Sequence, residues 1–327
     1  MKILIPDVIK DSAKIEKNIF GKNTEVLIYN ASKTSQIKDK IWNNVDAILA
    51  FDTLNYDKNI LSKLKKCKII VRVGAGYDNV DLIEAKKRNI IVSNVPDYGI
   101  DEVADHAFSL LLSLNRNIFN FHEETKKGIW KRTGNQIFRL KSKTLGIIGL
   151  GRIGKAVALR AKAFKMNVIY YDPYLKSGYD KILDITNELN IFNLAKKSDF
   201  VSIHCPLTDE TKNLINKNFF SKMKKTSIII NTARGEILNL NDLRDILKNK
   251  KIKGAALDVL QEEPLSTKFS IVKDYFENKN YLKNKLIITP HVAFYSTASV
   301  IEIRKKAAIE AKNVLNNNKP KNCVNDF

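Results

Sequence analysis

The chain has 327 residues, of which 44% are hydrophobic and 28% charged, a globular composition that sets aside a wholly disordered or fibrous protein. Lys and Arg outnumber Asp and Glu by 56 to 35, giving a formal net charge of +21, which permits a nucleic-acid or anionic-membrane partner without establishing one. The length corresponds to about two domains. The first apolar stretch, in MKILIPDVIK, is too short for a signal peptide and reads as a strand. Strands are predicted at 2–6 (KILIP), 25–29 (EVLIY), 47–51 (AILAF), 68–73 (KIIVRV) and 90–95 (IIVSNV), with helical patterns at 59–67 and 81–88 between them. That alternation argues βαβ units and a parallel sheet. One long helix is predicted over 101–127, opened by acids and closed by lysines as the helix dipole favours. A second series follows, with strands at 144–150, 167–172, 200–205, 227–232, 254–259 and 286–290. A last helix is predicted over 296–316, and the polar tail 317–327 is expected to be loose.

The remaining composition narrows the classes further. Cys67, Cys205 and Cys323 are odd in number and far apart, so they form neither a disulfide framework nor a metal-ligand spacing, and a reducing cytosol is the expected compartment. No apolar run reaches the roughly 18 residues of a membrane helix, and no 20–50-residue repeat is visible. The basic residues are mostly Lys, scattered among acids and accompanied by abundant Asn and Ile. That pattern fits an A- and T-rich coding sequence better than a nucleic-acid footprint, since no Arg cluster or RNA-binding aromatic motif accompanies it. Neither nucleic acid nor membrane is expected as a partner. The positive field would speed encounter with small anions.

The strongest local motif is GLGRIG at 149–154, directly after a strand and before the helical pattern KAVALRAKAFK. Gly149 permits the tight turn, Gly151 lets the backbone approach a pyrophosphate, and Gly154 lets helix and strand pack closely. The helix start offers N–H groups and partial positive charge to phosphates, and Arg152 adds to them. Asp172 follows Gly154 by eighteen residues at the end of the next strand. A carboxylate there binds both ribose hydroxyls and repels the extra phosphate of NADP, so NAD is the expected cofactor.

From here the chain resembles the D-2-hydroxyacid dehydrogenase family. The resemblance rests on VGAGYDNVD (73–81), VPDYGIDEVADHAFSLLL (95–112), LGIIGLGRIG (145–154), HCPLTDET (204–211), NTARGE (231–236), GAALDVLQEEP (254–264) and TPHVAFYS (289–296), in family order. RVGAGYDN, YDPYL and HVAFYS look closest to the C-terminal binding protein-like branch and its bacterial relatives. The resemblance implies an α/β fold of two doubly wound parallel-sheet lobes. A flavodoxin-like catalytic lobe comes from 1–99 and 292–327, an inserted Rossmann NAD lobe spans 100–291, and the active site lies in the cleft. Homodimerisation through the NAD lobe is also implied, with the helix over 101–127 contributing.

The resemblance maps the family's catalytic set onto Arg234, Glu263 and His291. The chemistry of reducing a 2-oxo acid supports the same residues. Arg234, in NTARG, can fork onto a carboxylate and polarise the neighbouring carbonyl, which a Lys cannot reproduce. His291 can exchange a proton near neutral pH, and Glu263 orients its ring and favours its protonated form. Glu263 is preferred over Glu262 because the family's Glu stands immediately before Pro. His106 reads as a core histidine, His122 as exposed, and His204 as a neighbour of the cofactor rather than an acid.

By the same resemblance the cofactor set comprises Gly149, Gly151, Arg152, Ile153, Gly154, Asp172, Pro173, Cys205, Pro206, Thr211, Thr232, Ala233 and Asp258. For Thr211, Thr232 and Asp258 a cap or turn role weighs equally. The loop 73–77 is expected to bind the substrate carboxylate through backbone N–H groups, with Gly74, Ala75 and Gly76 allowing close approach. Arg72, Tyr98 and Phe294 complete the substrate set. Phe294 replaces the Trp usual in C-terminal binding proteins. The absence of a Lys near Ala75 disfavours phosphite oxidation, and the stretch 265–285 is longer than usual, as a lid, a surface helix or a partner contact. No C-terminal regulatory domain of the kind on long phosphoglycerate dehydrogenases is recognised. The leading expectation is an NAD-dependent oxidoreductase of a small 2-oxo acid and its D-2-hydroxy acid. The alternatives are an NAD(H)-sensing, corepressor-like binding protein and a short D-3-phosphoglycerate dehydrogenase.

Overall fold

A computed structural model describes residues 1–9, 11–133 and 136–326. The chain separates into two compact units, one formed by Met1–Gly99 with Tyr295–Phe327 and the other by Ile100–Phe294.

The first unit carries five parallel strands, β1 (Lys2–Ile5), β2 (Glu25–Ile28), β3 (Ala47–Ala50), β4 (Ile69–Arg72) and β5 (Ile91–Ser93), in the order β2-β1-β3-β4-β5. Its central strands are apolar apart from Lys2 and Arg72 at strand ends, because both faces are covered. The period of two still sorts them. Ile3, Ile5, Ala47, Leu49, Ile69 and Val71 join one core cluster, while Leu4, Ile48, Ala50 and Ile70 join the other. The first cluster is completed by the helix Thr297–Leu315, through Ile303, Ala307, Ala308, Ala311 and Val314.

The chain ends are also joined by charge. Arg304, on that helix, donates from Nε and Nη2 to Glu16 (2.6 and 2.7 Å) and from Nη1 and Nη2 to Asp11 (2.5 and 2.9 Å). Arg304 and Glu16 are both buried, so this fork replaces the water each charge loses.

The second unit carries seven parallel strands, β6 (Thr144–Ile148), β7 (Asn167–Tyr171), β8 (Thr186–Asn187), β9 (Phe200–Ile203), β10 (Ile228–Asn231), β11 (Gly254–Leu257) and β12 (Leu286–Ile288), in the order β12-β11-β10-β9-β6-β7-β8. Alternation again assigns Leu145, Ile147, Ile228 and Ile230 to one cluster and Ile148, Ile229 and Leu257 to the other. The order reverses between β6 and β9, which is where an open parallel sheet binds its ligand, at the carboxyl ends of the strands.

Two expectations are corrected. The predicted long helix is two helices, Ile100–Arg116 and Ile118–Lys126, broken at Asn117 with φ 57°. Asn accepts the left-handed conformation, and the buried stripe that holds the first helix ends there, since the second buries no residue. The tail is not loose. Val324 N–H donates to Val92 O, and Asn325 accepts from Val92 N–H and donates to Ile90 O, each at 2.9 Å. A polar Asn thus covers the edge of β5 by imitating a strand's hydrogen bonds, which no apolar pattern announces. The two-residue, polar β8 carried no periodic signal either. Within 265–285, the helix Ser270–Phe276 buries Ile271 and Val272 in the core, and Asp274 accepts from Arg244 Nε at 2.7 Å and from Tyr281 Oη at 2.6 Å. The stretch thus contains a packed surface helix. No described helix is long and apolar enough to cross a membrane.

Candidate active site

The second unit pairs Glu263 with His291 and sets the turn that bears Arg234 against the turn that bears Glu263. Arg234 ends the β10 turn, where Asn231 Nδ2 donates to Arg234 O (2.9 Å) and Asn231 Oδ1 accepts from Ala233 N–H (3.0 Å). Arg234 Nη1 also donates to Ala233 O at 2.8 Å. The next residue, Gly235, lies so close to the Leu260 carbonyl that an added Cβ would stand 1.9 Å from the carbon. Leu260 N–H donates to Glu263 Oε1 at 2.9 Å, and Glu263 Oε2 pairs with His291 Nδ1 at 2.7 Å. Both side chains of that pair remain about one-third exposed, at 36% and 32%.

His291 occupies a tight turn after β12 at φ 51°, a conformation non-glycine residues adopt only when surroundings hold it. Asp258 supplies the hold. Its carbonyl accepts from His291 N–H (2.8 Å), and its carboxylate accepts from Thr289 Oγ1 (2.5 Å), Val292 N–H (3.0 Å) and Ala293 N–H (2.9 Å). His106 Nε2 reaches the same group, 3.1 Å from Thr289 Oγ1 and 3.4 Å from Asp258 Oδ1. Burial opposes ionisation of Asp258, but these hydrogen bonds outweigh it and hold the carboxyl at about 2. No local pattern marks His106 as a brace of this turn, because the contact joins residues 183 positions apart. Phe294 stands edge-on to the His291 ring, with centroids 6.4 Å apart.

The dinucleotide set surrounds the reversal point of the sheet. Gly149 has φ 88°, and a Cβ there would lie 2.5 Å from Cys205 N, so the turns after β6 and β9 touch. Gly154 backs onto Gly149 O, where a Cβ would lie at 2.2 Å. An added Cβ on Gly151 would meet nothing within 4 Å. That open space stands beside the start of the helix Arg152–Ala163, whose first N–H groups have no partner within the helix. Arg152 is exposed, and Ile153 packs partly against the core.

Asp172 accepts from Leu150 N–H (2.9 Å) on Oδ2 and from Tyr174 N–H (3.1 Å) on Oδ1. Each oxygen keeps a lone pair for a ribose hydroxyl. Pro173 and Pro206 are exposed, and burial pushes the Cys205 thiol up to about 12, so it is not a thiolate. Thr232 Oγ1 is buried with no hydrogen-bond partner among the described residues, as a group awaiting a ligand would be. Thr211 Oγ1 is already engaged, donating to Pro206 O and accepting from Thr208 N–H, each at 2.7 Å. These features fit a dinucleotide.

In the first unit, Arg72 is buried and donates from Nη1 to Val73 O at 2.7 Å. A Cβ on Gly74 would lie 2.3 Å from Arg72 Nη1, so only glycine leaves that guanidinium its place. Ala75 O accepts from Asn94 Nδ2 at 2.6 Å. Gly76 is partly buried, and Tyr98 packs partly against the core. Beneath the neighbouring strand ends, buried Asp7 accepts from the N–H groups of Phe51, Thr53 and Leu54. No motif in the sequence marks Asp7.

Comparison with known proteins gives one family throughout. Residues 108–293 match the family model described as "D-isomer specific 2-hydroxyacid dehydrogenase, NAD binding domain". The chain is 35% identical over 330 residues to a D-3-phosphoglycerate dehydrogenase of Methanocaldococcus jannaschii, covering 99% of this chain and 59% of that protein. It is 33% identical to C-terminal-binding protein 1 of Caenorhabditis elegans, covering 95% of this chain and 43% of that protein. The chain therefore spans about half the length of these curated relatives. Among solved structures it is similar to a D-lactate dehydrogenase from Aquifex aeolicus complexed with NAD and lactic acid. The TM-score is 0.89, with 29% identity and 99% of both chains covered.

Proposed function

Because the chain belongs to the D-isomer-specific 2-hydroxyacid dehydrogenase family, we propose that it is an NAD-dependent oxidoreductase interconverting a small 2-oxo acid and its D-2-hydroxy acid. The observation that carries this reading is the His291–Glu263 pair, linked through the Leu260–Gly235 approach to Arg234. Bound NADH supplies the hydride. The protein's own residues do the rest. Arg234 holds the substrate carboxylate in a fork and draws charge from the adjacent carbonyl. Glu263 occupies Nδ1 of His291, which leaves Nε2 as the nitrogen that exchanges a proton. In reduction, His291 enters as imidazolium and gives its Nε2 proton to the carbonyl oxygen. It ends neutral, with Nδ1–H still on Glu263; oxidation runs the same transfer backwards.

The loop 73–77 with Arg72, Tyr98 and Phe294 is assigned to the substrate's carboxylate and side chain. Asp172 selects NAD over NADP. A homodimer formed through the larger unit is part of the same reading. Ile118, Phe119, Ile129 and Trp130 are exposed there, by 50%, 57%, 39% and 79%, which is more apolar surface than a solvated segment needs. Sedimentation at micromolar concentration should give a dimer.

The test of the activity is an NADH-oxidation panel over pyruvate, glyoxylate, hydroxypyruvate, phosphohydroxypyruvate and branched 2-oxo acids. Turnover of at least one, giving the D product, is the expected outcome. NADH binding without turnover of any, together with NADH-dependent capture of a protein, would replace the enzyme by a sensor.

A further inference from the structure

Three loops form the mouth of the dinucleotide crevice, and one hydrogen-bonded line joins them. Leu150, in the turn after β6, donates its N–H to Asp172 Oδ2, and Asp172 Oδ1 accepts from Tyr174 N–H. Tyr174 then donates its hydroxyl to Glu210 Oε2, in the loop after β9. β7 and β9 are not neighbours, since β6 lies between them. With strands about 4.8 Å apart, their ends are separated by roughly 10 Å, a gap a Tyr and a Glu side chain can close together. The Tyr174–Glu210 bond therefore passes across the strand end that bears the Gly149–Gly154 turn.

Both ends of this bond are braced. Thr208 and Thr211 fix the turn around Glu210, through Thr208 N–H to Thr211 Oγ1 (2.7 Å) and Thr211 N–H to Thr208 O (3.1 Å). At the other end, Tyr174 N–H is held on Asp172 Oδ1 at 3.1 Å. The bond also keeps the Tyr174 phenol protonated, since the Glu210 carboxylate raises its pKa. Nothing in core packing accounts for the contact, because Tyr174 is 75% exposed and the residues lie 36 positions apart.

We propose that Tyr174 and Glu210 form a latch across the adenosine end of the crevice, a pair of positioning residues that retains the bound dinucleotide. This rests on the assignment of the crevice to NAD(H). A dinucleotide lying along the strand ends passes the three linked loops, and parting Tyr174 from Glu210 separates the walls on either side of it. The latch thus governs escape more than encounter.

The test is stopped-flow release of NADH from the full-length protein, displaced by excess NAD and followed by nicotinamide fluorescence. Y174F and E210A should each speed release about fivefold, the equivalent of one exposed charge-assisted hydrogen bond. The double variant should be no faster than either single variant, because both remove the same contact. E210Q, whose amide oxygen still accepts the bond, should stay within about twofold of the unaltered protein. The thermal midpoint without cofactor should stay within about 1 °C for every variant, as for exposed surface changes. Unchanged release in Y174F overturns the latch, as do additive effects in the double variant. A lower midpoint with unchanged release makes the pair a structural brace and overturns it too. Failure of the unaltered protein to bind NADH overturns the crevice assignment itself, and the latch with it.

Discussion

The turns after β9 and β12 place the same residue type in opposite surroundings. His204 is half-buried, with Nε2 2.7 Å from Ser202 Oγ and a buried Nδ1 without a partner among the described residues. Burial lowers its pKa to about 3, and a neutral ring donating from Nε2 leaves only a bare lone pair on Nδ1, the cheaper atom to bury unpartnered. His291 is one-third exposed, carries a carboxylate on Nδ1 and is held in its turn by Asp258. Desolvation favours the neutral form of the first, whereas the second has the partner an imidazolium needs. Residue type nominates a histidine for proton transfer, and surroundings decide it.

The sharpest way to break this contrast is H291N. Asn tolerates the positive φ of that turn, so the fold should persist while turnover falls about 10³-fold and NADH affinity stays unchanged, as read by single-turnover kinetics and fluorescence titration. A comparable loss in H204Q would end the distinction. R234K keeps the charge but loses the fork, and turnover should fall about 10²-fold, with weakened saturation by the oxo acid. E263Q keeps the shape beside His291 but removes the charge that favours the imidazolium. About a tenfold loss in reduction is expected, and single-turnover kinetics read it.

The smallest effect belongs to H204Q and appears in stability. Unfolded His204 would charge below its ordinary value of 6.5, while the folded residue stays neutral to about 3. The native state binds fewer protons across that window. Its contribution is therefore full above pH 6.5 and is lost as pH falls toward 3. Denaturant melts at pH 7 and about pH 4 should show a shallower acid loss in H204Q than in the unaltered protein. An equally steep loss would show that His204 does not stay neutral in the native state.

What the sequence could show is local. All strands but the two-residue β8 were marked by apolar runs, because parallel strands covered on both faces need them. The Gly149–Gly154 turn was marked by glycines whose absent Cβ atoms the backbone contacts require. Arg234, Glu263 and His291 could be named from motif order, but nothing local said that they meet. Their meeting depends on the β10 turn pressing Gly235 against Leu260, and on Asp258 gathering Thr289, Val292, Ala293 and His106. The break at Asn117, the edge-capping tail and the Arg304 fork to Asp11 and Glu16 are of the same kind. Each is a polar contact whose value exists only once burial has removed water from it. The sequence by itself determined the sheets and the chemistry on offer. Tertiary structure decided which polar groups lose their water together, and so which histidine has a carboxylate partner and which is held neutral.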